Sequence, residues 1–262
     1  MAWHFQPAGM ISTMKTSSST PCKLCGRNIA LTYEFMRQLV PDSVQDGFLK
    51  EFVSHANSLF SEYGVNSCDQ VFHLLAQGKH ETKRYTAFRE SLNYTTRSYT
   101  AESLYRMAPT AIDNGFSRKG LILTRQEKIK YVEDNLIAND AGYGEHCFGS
   151  NVYPNNDYRG RGLLHLTHYD NYHTCAQDTG YPIDAQPNLV QDDTKIILVS
   201  GLWFWRKNNL GIIAEDKSMT LDQRVREVTI KINPGLKGLE ERKIFTSEIS
   251  TIFSSLYGAC QR

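Results

Sequence analysis

The spacing of apolar residues predicts a chain built mainly from α-helices. Ser67 and Gln70 form a capping box, and the apolar or small residues that follow recur at helical spacing, so a helix is expected over residues 68–80. The same signature opens two later helices, at Thr124 with Glu127 and at Thr220 with Gln223. A last helix is indicated near the C-terminus by an apolar stripe of Leu239, Phe245, Ile249, Ile252, Phe253 and Leu256.

Two stretches interrupt this helical periodicity. Gly, Asn, Pro and Tyr accumulate in residues 151–161, and residues 88–94 also lack a helical pattern. Such segments are typical of loops or a short hairpin, and loops of this kind often line a cleft.

The composition supports a folded chain without a strong overall charge. Of its 262 residues, 40% are hydrophobic and 11% aromatic, which is enough to bury a sizeable core. The 29 basic and 28 acidic residues leave a net charge of +1, so no global field attracts nucleic acid or a membrane surface. The longest apolar stretch, residues 196–205, is too short to cross a bilayer. We therefore expect no nucleic-acid partner and no membrane insertion.

The N-terminal region differs from the rest of the chain. Residues 10–21 are rich in Ser and Thr and cannot bury much surface, which is typical of a linker or mobile arm. We therefore assign residues 1–27 to a polar arm and residues 28–262 to one folded domain. Residues 1–20 lack the basic leading segment and the continuous apolar core of a secretory signal, so synthesis in the cytoplasm without a signal peptide is expected.

Six cysteines are too few for a disulfide framework in a chain of this length. Cys22 and Cys25 form one CxxC within the arm, but no second pair follows at the spacing of a zinc site. The other cysteines are interpreted as free or buried thiols: Cys68, Cys147, Cys175 and Cys260. The sequence thus predicts no bound metal and no cofactor.

Glu81 is the first candidate for chemistry. It stands seven positions after Leu74 and ten after Val71, so it continues the buried stripe of its helix and meets solvent only at the helix end. Partial burial raises the pKa of a carboxyl group, as a proton donor to a glycosidic oxygen requires. An ordinary helix-end glutamate paired with Lys79 or Lys83 is the alternative, and position alone favours that alternative.

Glu90 is the natural partner of Glu81. Hydrolysis of a glycosidic bond without a covalent intermediate needs an acid on one side and a second carboxylate that activates water on the other. On one continuous helix the two glutamates would face opposite sides, about 13 Å apart along the axis. The chain must therefore bend near residues 84–88 to bring them within the roughly 6.5–9.5 Å of an inverting pair. Glu102 is the other candidate base, although Thr100 caps its helix and a negative charge is expected in that first turn for electrostatic reasons.

Residues 158–172 form a strip in which two arginines alternate with glycines. Arg159 and Arg161 could pair with the candidate carboxylates. Thr167 could hold a water, and Asn171 could bind an amide of a substrate. A basic turn at a strand edge explains the same residues equally well.

Several blocks of sequence also stand in a fixed order along the chain. They are His80-Glu81-Thr82, Glu90-Ser-Leu-Asn-Tyr-Thr95, Tyr158-Arg-Gly-Arg-Gly-Leu-Leu-His-Leu-Thr167 with Asn171-Tyr172, Pro187-Asn-Leu-Val190, Gly201-Leu-Trp-Phe-Trp205, and Ile232-Asn-Pro-Gly235 with Gly238-Leu239 and Arg242. In this order they resemble glycoside hydrolase family 19 and its phage endolysin relatives. The likeness extends over residues 28–256 and is more specific than one short motif.

The resemblance implies a mainly α, lysozyme-like α+β fold, in which two helical lobes flank a substrate cleft. It also implies inverting hydrolysis of a β-1,4 bond next to an N-acetylated sugar. By this resemblance Glu81 is the general acid, Glu90 the second carboxylate and Thr167 the hydroxyl that positions water, while Glu102 lies near the spacing of the base in plant chitinases. The residues implied to bind substrate are His80, Tyr94, Arg159, Arg161, His165, Asn171 and Asn233.

Three departures from the family pattern affect these expectations. Lys83 and Arg84 replace the small residues that usually follow the His-Glu-Thr motif, His165 stands where Gln is common, and Pro234 interrupts a usual Asn-Gly-Gly. They raise the alternative of a catalytically weakened glycan-binding module. His165 nevertheless keeps the ability to form hydrogen bonds.

The form Leu92-Asn93-Tyr94 favours the endolysin branch, so the resemblance implies a muramidase- or lysozyme-type enzyme acting on peptidoglycan, with a chitinase as the alternative. Without a signal peptide, such an enzyme would be released by phage lysis or injected into a competitor's periplasm, for instance by type VI secretion. An injecting producer would need an immunity protein that plugs the cleft. A cysteine amidase that uses Cys147 beside His146 is a further alternative, although sequence neighbours seldom face each other.

Overall fold

The computed structural model describes residues 21–260, and helices dominate this part of the chain, as the apolar periodicity predicts. The thirteen helices within it are α1 (Tyr33–Leu39), α2 (Asp46–Leu59), α3 (Cys68–Glu81), α4 (Ala101–Met107), α5 (Pro109–Arg118), α6 (Arg125–Asn135), α7 (Asp140–Phe148), α8 (Tyr169–Thr179), α9 (Leu189–Asp192), α10 (Thr194–Lys207), α11 (Leu210–Glu215), α12 (Leu221–Ile232) and α13 (Leu239–Tyr257). None of these helices is long and apolar enough to span a bilayer.

The predicted helix starts are confirmed at the level of single hydrogen bonds. The Ser67 hydroxyl accepts the backbone N–H of Gln70 and so caps α3. Complete capping boxes open α6 and α12, where the N-cap hydroxyl and the side chain three residues later satisfy each other's backbone N–H groups. Each cap satisfies an otherwise unpaired N–H group, which is why so local a signal predicts a helix start.

Two separate hydrophobic cores divide the molecule into lobes. The larger core contains the buried faces of α1–α3, α8, α10 and α13. The smaller core is formed by Leu92, Leu104, Ile112, Phe116, Val132, Leu136 and Tyr143. The prediction of a mainly helical fold with two lobes is therefore confirmed.

Extended backbone between residues 21 and 260 forms only isolated bridges. Residues 88–90 lie beside residues 160–162, because the Glu90 N–H donates to the Gly160 carbonyl and the Gly162 N–H donates to the Phe88 carbonyl, both at 2.9 Å. The two stretches that lack helical periodicity thus pair with each other. They form the small hairpin-like region that the sequence predicts.

Leu163 anchors this region between two helices. A Cβ atom on Gly78 of α3 would lie 2.5 Å from Leu163 Cδ1, and a Cβ atom on Gly201 of α10 would lie 2.8 Å from Leu163 Cβ. Only glycine leaves room for the leucine at these two helix positions. The strip that carries His165 is therefore fixed relative to α3.

Residues 21–27, the last part of the expected polar arm, pack onto the larger lobe. Cys22 is 1% exposed and belongs to the larger core. The Lys23 N–H donates to the Asn66 carbonyl at 2.9 Å, and Pro21 forms a β-bridge with Asn28. The boundary drawn between residues 27 and 28 therefore does not separate two structural units. The preceding polar run, residues 10–20, lies outside the described residues.

Adding a methyl group at Gly78 tests the packing around Leu163. We expect Gly78→Ala to lower the free energy of unfolding by about 1–3 kcal/mol, because the new Cβ overlaps the leucine. Gly47→Ala is the matched control, since a Cβ there meets open space in α2 and alanine favours a helix by about 0.5–1 kcal/mol. Urea unfolding followed by circular dichroism measures both variants. Equal midpoints would contradict the packing described.

Candidate active site

A cleft of about 640 Å³ opens where the end of α3 meets the strip of residues 158–168 and the junction of α12 with α13. Tyr94 lines the cleft and also packs against the smaller core, so the cleft borders both lobes. Its lining consists largely of charged and polar side chains: Lys79, His80, Glu81, Lys83, Arg84, Arg89, Glu90, Ser91, Tyr94, His165, Asn233, Lys237, Glu241 and Arg242, with Ala87.

Glu81 is the last residue of α3, and its side chain is 12% exposed at the cleft. Arg242 Nη2 donates to Glu81 Oε1 at 2.5 Å, and His165 Nδ1 lies 3.4 Å from Glu81 Oε2. Pairing with Lys79, the alternative raised by the sequence, is not observed, because Lys79 Nζ bonds Glu248 at 2.8 Å. The carboxylate therefore sits where the buried face of α3 reaches the cleft, as predicted.

The bend between Glu81 and Glu90 is a short left-handed turn. Lys83, Arg84 and Tyr85 have φ angles of 49°, 62° and 63°. Such a conformation costs about 1–2 kcal/mol per non-glycine residue. Burial of the Tyr85 ring offsets this cost, together with a 2.9 Å hydrogen bond from its hydroxyl to the Leu75 carbonyl. The bend begins just before the predicted residues 84–88 and turns Glu90 back into the cleft.

Glu90 is held by the strip opposite α3. Its N–H donates to the Gly160 carbonyl at 2.9 Å, and the Gly160 N–H donates back to its carboxylate. Burial raises the pKa of Glu90 above its ordinary value and outweighs this N–H group and the charges of Arg159 and Lys237, which act in the opposite direction. The negative charge of Glu81 raises the pKa further. The two carboxyl groups are thus electrostatically coupled across one cleft.

His165 faces Glu81 from a left-handed backbone conformation with φ of 49°. Burial lowers the pKa of its imidazole, and the charges of Arg242, His80 and Lys83 lower it further against the opposing effect of Glu81. The ring is therefore neutral near pH 7. Its Nε2 atom is buried and has no hydrogen-bond partner among the described residues. A neutral imidazole with one unused nitrogen can still exchange hydrogen bonds with a ligand.

His80 and Asn233 line the cleft as expected, and each is fixed by its neighbours. The His80 Nδ1 lies 2.6 Å from Glu241 Oε2, and its ring covers Gly238, where a Cβ atom would lie 1.9 Å from His80 Cε1. The Asn233 Oδ1 atom accepts the Gly235 N–H at 3.1 Å at the end of α12.

The substrate-binding roles predicted for Arg159 and Arg161 are wrong. Their side chains are 0% and 3% exposed, and neither lines the cleft. Arg159 pairs with Asp140 at 2.7 Å and with Asp157 at 2.8 Å, and Arg161 pairs with Asp157 at 2.9 Å. A buried guanidinium needs carboxylates around it, and two aspartates satisfy both arginines in place of the candidate glutamates.

Glu102 is not part of the cleft, so its role as an alternative base is also corrected. It forms an ion pair with Arg125 in the first turn of α4, which is the helix-end role that the sequence offered as an alternative. Thr167 and Asn171 are missing from the described residues that line the cleft. The Thr167 hydroxyl donates to the His165 carbonyl at 2.7 Å, and the Asn171 amide donates to the Thr167 carbonyl at 2.9 Å. Their functional roles stay predictions.

The pairing of Cys147 with His146 does not form. Burial raises the pKa of the Cys147 thiol to about 12, so it holds its proton at neutral pH. The His146 ring bonds the Ile112 carbonyl at 2.9 Å. The chemistry of a cysteine amidase is therefore not supported at this place.

Sequence reasoning gave no role to Arg242, although the arginine is the main partner of Glu81. Its side chain is 0% exposed and bonds both Glu81 and Gln77. A signal was available, because Arg242 stands three positions before Phe245 and therefore lies on the buried stripe of α13. A cation on such a stripe requires a buried partner. Lys237 was missed as well, since it is exposed in the turn that precedes α13.

Several known proteins resemble this chain in sequence or in fold. The family model described as chitinase class I matches residues 130–212. A glycosyl hydrolase family 19 domain-containing protein of Haemophilus influenzae is 29% identical over 178 residues, which cover 68% of this chain and 76% of that protein. An endochitinase of Arabidopsis thaliana is 30% identical over 95 residues, or 35% of this chain and 31% of the relative. The chain thus spans under a third of the plant relative's length.

Among solved structures, the crystal structure of a chitinase C mutant resembles this chain with a TM-score of 0.51 at 16% sequence identity. The match covers 86% of this chain and 93% of that chain. At this identity the likeness shows a shared fold.

Removing the charge of Lys237 tests the electrostatics of Glu90. We expect Lys237→Met to raise the pKa of Glu90 further above its ordinary value, because a nearby cation that favours the ionised carboxylate is lost. Lys130→Met is the control, since Lys130 pairs with Asp134 on the surface of α6. Titration of the Glu90 carboxyl-carbon resonance by NMR measures the change. A pKa that falls in Lys237→Met, or moves no more than in the control, would contradict the assignment.

Proposed function

We propose that this chain, which is similar to glycoside hydrolase family 19, cleaves the glycan strands of bacterial peptidoglycan at a β-1,4 bond. The observation that carries the proposal is one cleft that holds both Glu81 and Glu90 together with three cations that pair with no carboxylate of residues 21–260. The carboxyl pair supplies the chemistry, and the cations supply the preference for an anionic glycan.

The two glutamates divide the proton transfers of an inverting hydrolysis. Glu81 donates a proton to the glycosidic oxygen as the bond to the anomeric carbon breaks. Glu90 takes a proton from the water that attacks this carbon from the opposite face. The products are a new reducing end and a free hydroxyl, and solvent returns both carboxyl groups to their starting states. Arg242 fixes Glu81 and the Gly160 N–H fixes Glu90, so both groups stay oriented through the reaction.

The charge of the cleft favours peptidoglycan over chitin. Three cations of the cleft have carboxylate partners: Arg242 pairs with Glu81, Lys79 with Glu248 and Arg89 with Asp140. Three further cations at the cleft form no ion pair with a carboxylate of residues 21–260. They are Lys83, Arg84 and Lys237. Peptidoglycan carries carboxylates on its peptide stems, whereas chitin is uncharged. Lys83 and Arg84, which depart from the family pattern, therefore suit an anionic substrate.

Chitin is the second candidate substrate. The plant relatives are named endochitinases, and chitin shares the β-1,4-linked N-acetylglucosamine unit with peptidoglycan. The same acid and base would serve both polymers. The two candidates differ in the contribution of the unpaired cations, because only peptidoglycan offers them a partner.

For delivery we propose release by phage lysis or injection into a competitor's periplasm. A producer that injects the enzyme would protect itself with an immunity protein whose acidic surface covers Lys83 and Lys237 in the cleft. Extracts of the producing cell that contain no protein able to inhibit the purified enzyme would contradict the immunity proposal.

Loss of the acid tests the catalytic proposal. We expect Glu81→Gln to lower the release of soluble fragments from purified peptidoglycan by about 10²–10⁴-fold, because general acid catalysis contributes that much to the rate. Glu102→Gln is the control, since that glutamate lies outside the cleft. Mass spectrometry of borohydride-reduced fragments identifies the new reducing end, and reduced muramic acid would mark a muramidase. If wild type and Glu81→Gln both bind peptidoglycan and neither releases fragments, the binding-module alternative is correct.

Loss of one unpaired cation tests the substrate preference. We expect Lys83→Gln to lower the rate on peptidoglycan by about two- to fivefold at low salt, the size of an exposed charge interaction. Its rate on a neutral chitooligosaccharide should stay unchanged, and added salt should reduce the difference from wild type. Lys130→Gln serves as the control on the surface of α6. An equal loss on both substrates would assign Lys83 to sugar contact and remove the support for an anionic glycan.

A further inference from the structure

Four cysteine sulfurs meet at the side of the larger lobe. The Sγ atoms of Cys22, Cys25, Cys68 and Cys260 all lie within 4.8 Å of one another. They come from the N-terminal CxxC, from the first residue of α3 and from the segment after α13. Cys68 and Cys260 are free thiols, as expected, but the fold brings them beside the CxxC as a second pair of cysteines.

We propose that these four cysteines bind one structural zinc ion in a tetrahedral site. Zinc–sulfur bonds of about 2.3 Å place the sulfurs of such a site about 3.8 Å apart. The observed Sγ–Sγ distances are 3.9 Å for Cys25 with Cys68 and 4.0 Å for Cys22 with Cys260. Cys25 and Cys260 are closer, at 2.9 Å, and would separate by about 1 Å around the ion. Four protein ligands leave no open position, so the ion has a structural role.

The backbone around Cys22 is arranged to hold a thiolate. The Cys68 N–H donates to Cys22 Sγ at 3.4 Å. Gly26 directly follows the CxxC with φ of 71°, and its N–H donates to the Cys22 carbonyl at 2.7 Å, which closes a tight turn. A backbone N–H group directed at the sulfur favours the thiolate that a metal requires.

The burial of the four sulfurs agrees with a metal at their centre. Cys22 and Cys68 are buried, and Cys25 and Cys260 are partly buried. A divalent cation would balance the charge of four adjacent thiolates there, because each thiol would give its proton to solvent and bind as a thiolate, with no electron transferred.

The proposed ion would connect both ends of the described chain to the helix of the candidate acid. Cys68 is the first residue of α3, and Glu81 is the last. The ion would stand about 20 Å from Glu81 along the helix, too far to take part in hydrolysis. It would instead fix the start of the helix whose end carries the carboxylate.

Metal content of the full chain tests the proposal. Protein produced with zinc in the medium and purified without chelator is analysed by inductively coupled plasma mass spectrometry, and we expect about one zinc per chain. Cys25→Ser and Cys260→Ser should lose most of this zinc. Cys147→Ser is the matched control, because Cys147 packs against the smaller core, away from the cluster. Iron in place of zinc, or full zinc content in both cluster variants, would overturn the proposal.

Measurements on the wild-type protein keep the test valid even if the cluster variants fail to fold. Exchange with cobalt(II) should produce the absorption bands of a tetrahedral thiolate complex, and a strong chelator should lower the Tm by several degrees. Alkylation followed by mass spectrometry without reduction examines the alternative of a disulfide. A disulfide between Cys25 and Cys260, or a metal-free protein with four reactive thiols and a Tm unaffected by chelator, would refute the site. None of these readouts depends on glycan hydrolysis.

Discussion

A guanidinium group shielded from water needs a carboxylate beside it, and in this chain that carboxylate is Glu81. Arg242 is fully buried between α13 and α3, where it bonds both Glu81 and Gln77. Gln77 in turn donates to the Thr229 hydroxyl at 3.1 Å, which ties α12 to the same network. Removing any partner would leave a buried charge or amide unsatisfied, so the three helices must keep one relative position. The residue proposed to donate the proton is therefore also the residue that fixes the helices around the cleft.

The second constraint is the short distance in sequence between the two carboxylates. A helix that simply continued past Glu81 would carry Glu90 away from the cleft. The left-handed turn at residues 83–85 reverses the chain within three residues, at an energetic cost that the buried ring of Tyr85 offsets. Leu163, seated against Gly78, then brings the strip with Gly160 to the returning chain. Packing distant from the chemistry thus determines where the second carboxylate lies.

Local signals predicted the helices and the place of Glu81 on a buried stripe, because caps and stripes depend on neighbours within a few residues, as at Ser67 and Leu74. The resemblance to a known family supplied the catalytic roles of Glu81 and Glu90. The role of Arg159 could not be predicted in this way, since its partner Asp140 follows from tertiary packing. The cysteine cluster was beyond sequence reasoning for the same reason, because Cys22 and Cys260 are 238 positions apart. A buried ion pair or a thiol cluster is specified by the complete fold.

The meeting of Cys22 and Cys260, whose sulfurs lie 4.0 Å apart, makes the described backbone almost a closed ring. A chain closed in this way could be opened at a different surface loop, because every helix would still pack against the same neighbours. A short peptide joining residues 21 and 260 would cost little entropy, because the fold already holds Cys22 and Cys260 close together. New ends would fit between α5 and α6, where Ile122 is fully exposed to solvent. The lobes and cleft of this enzyme are in that sense compatible with circular permutation.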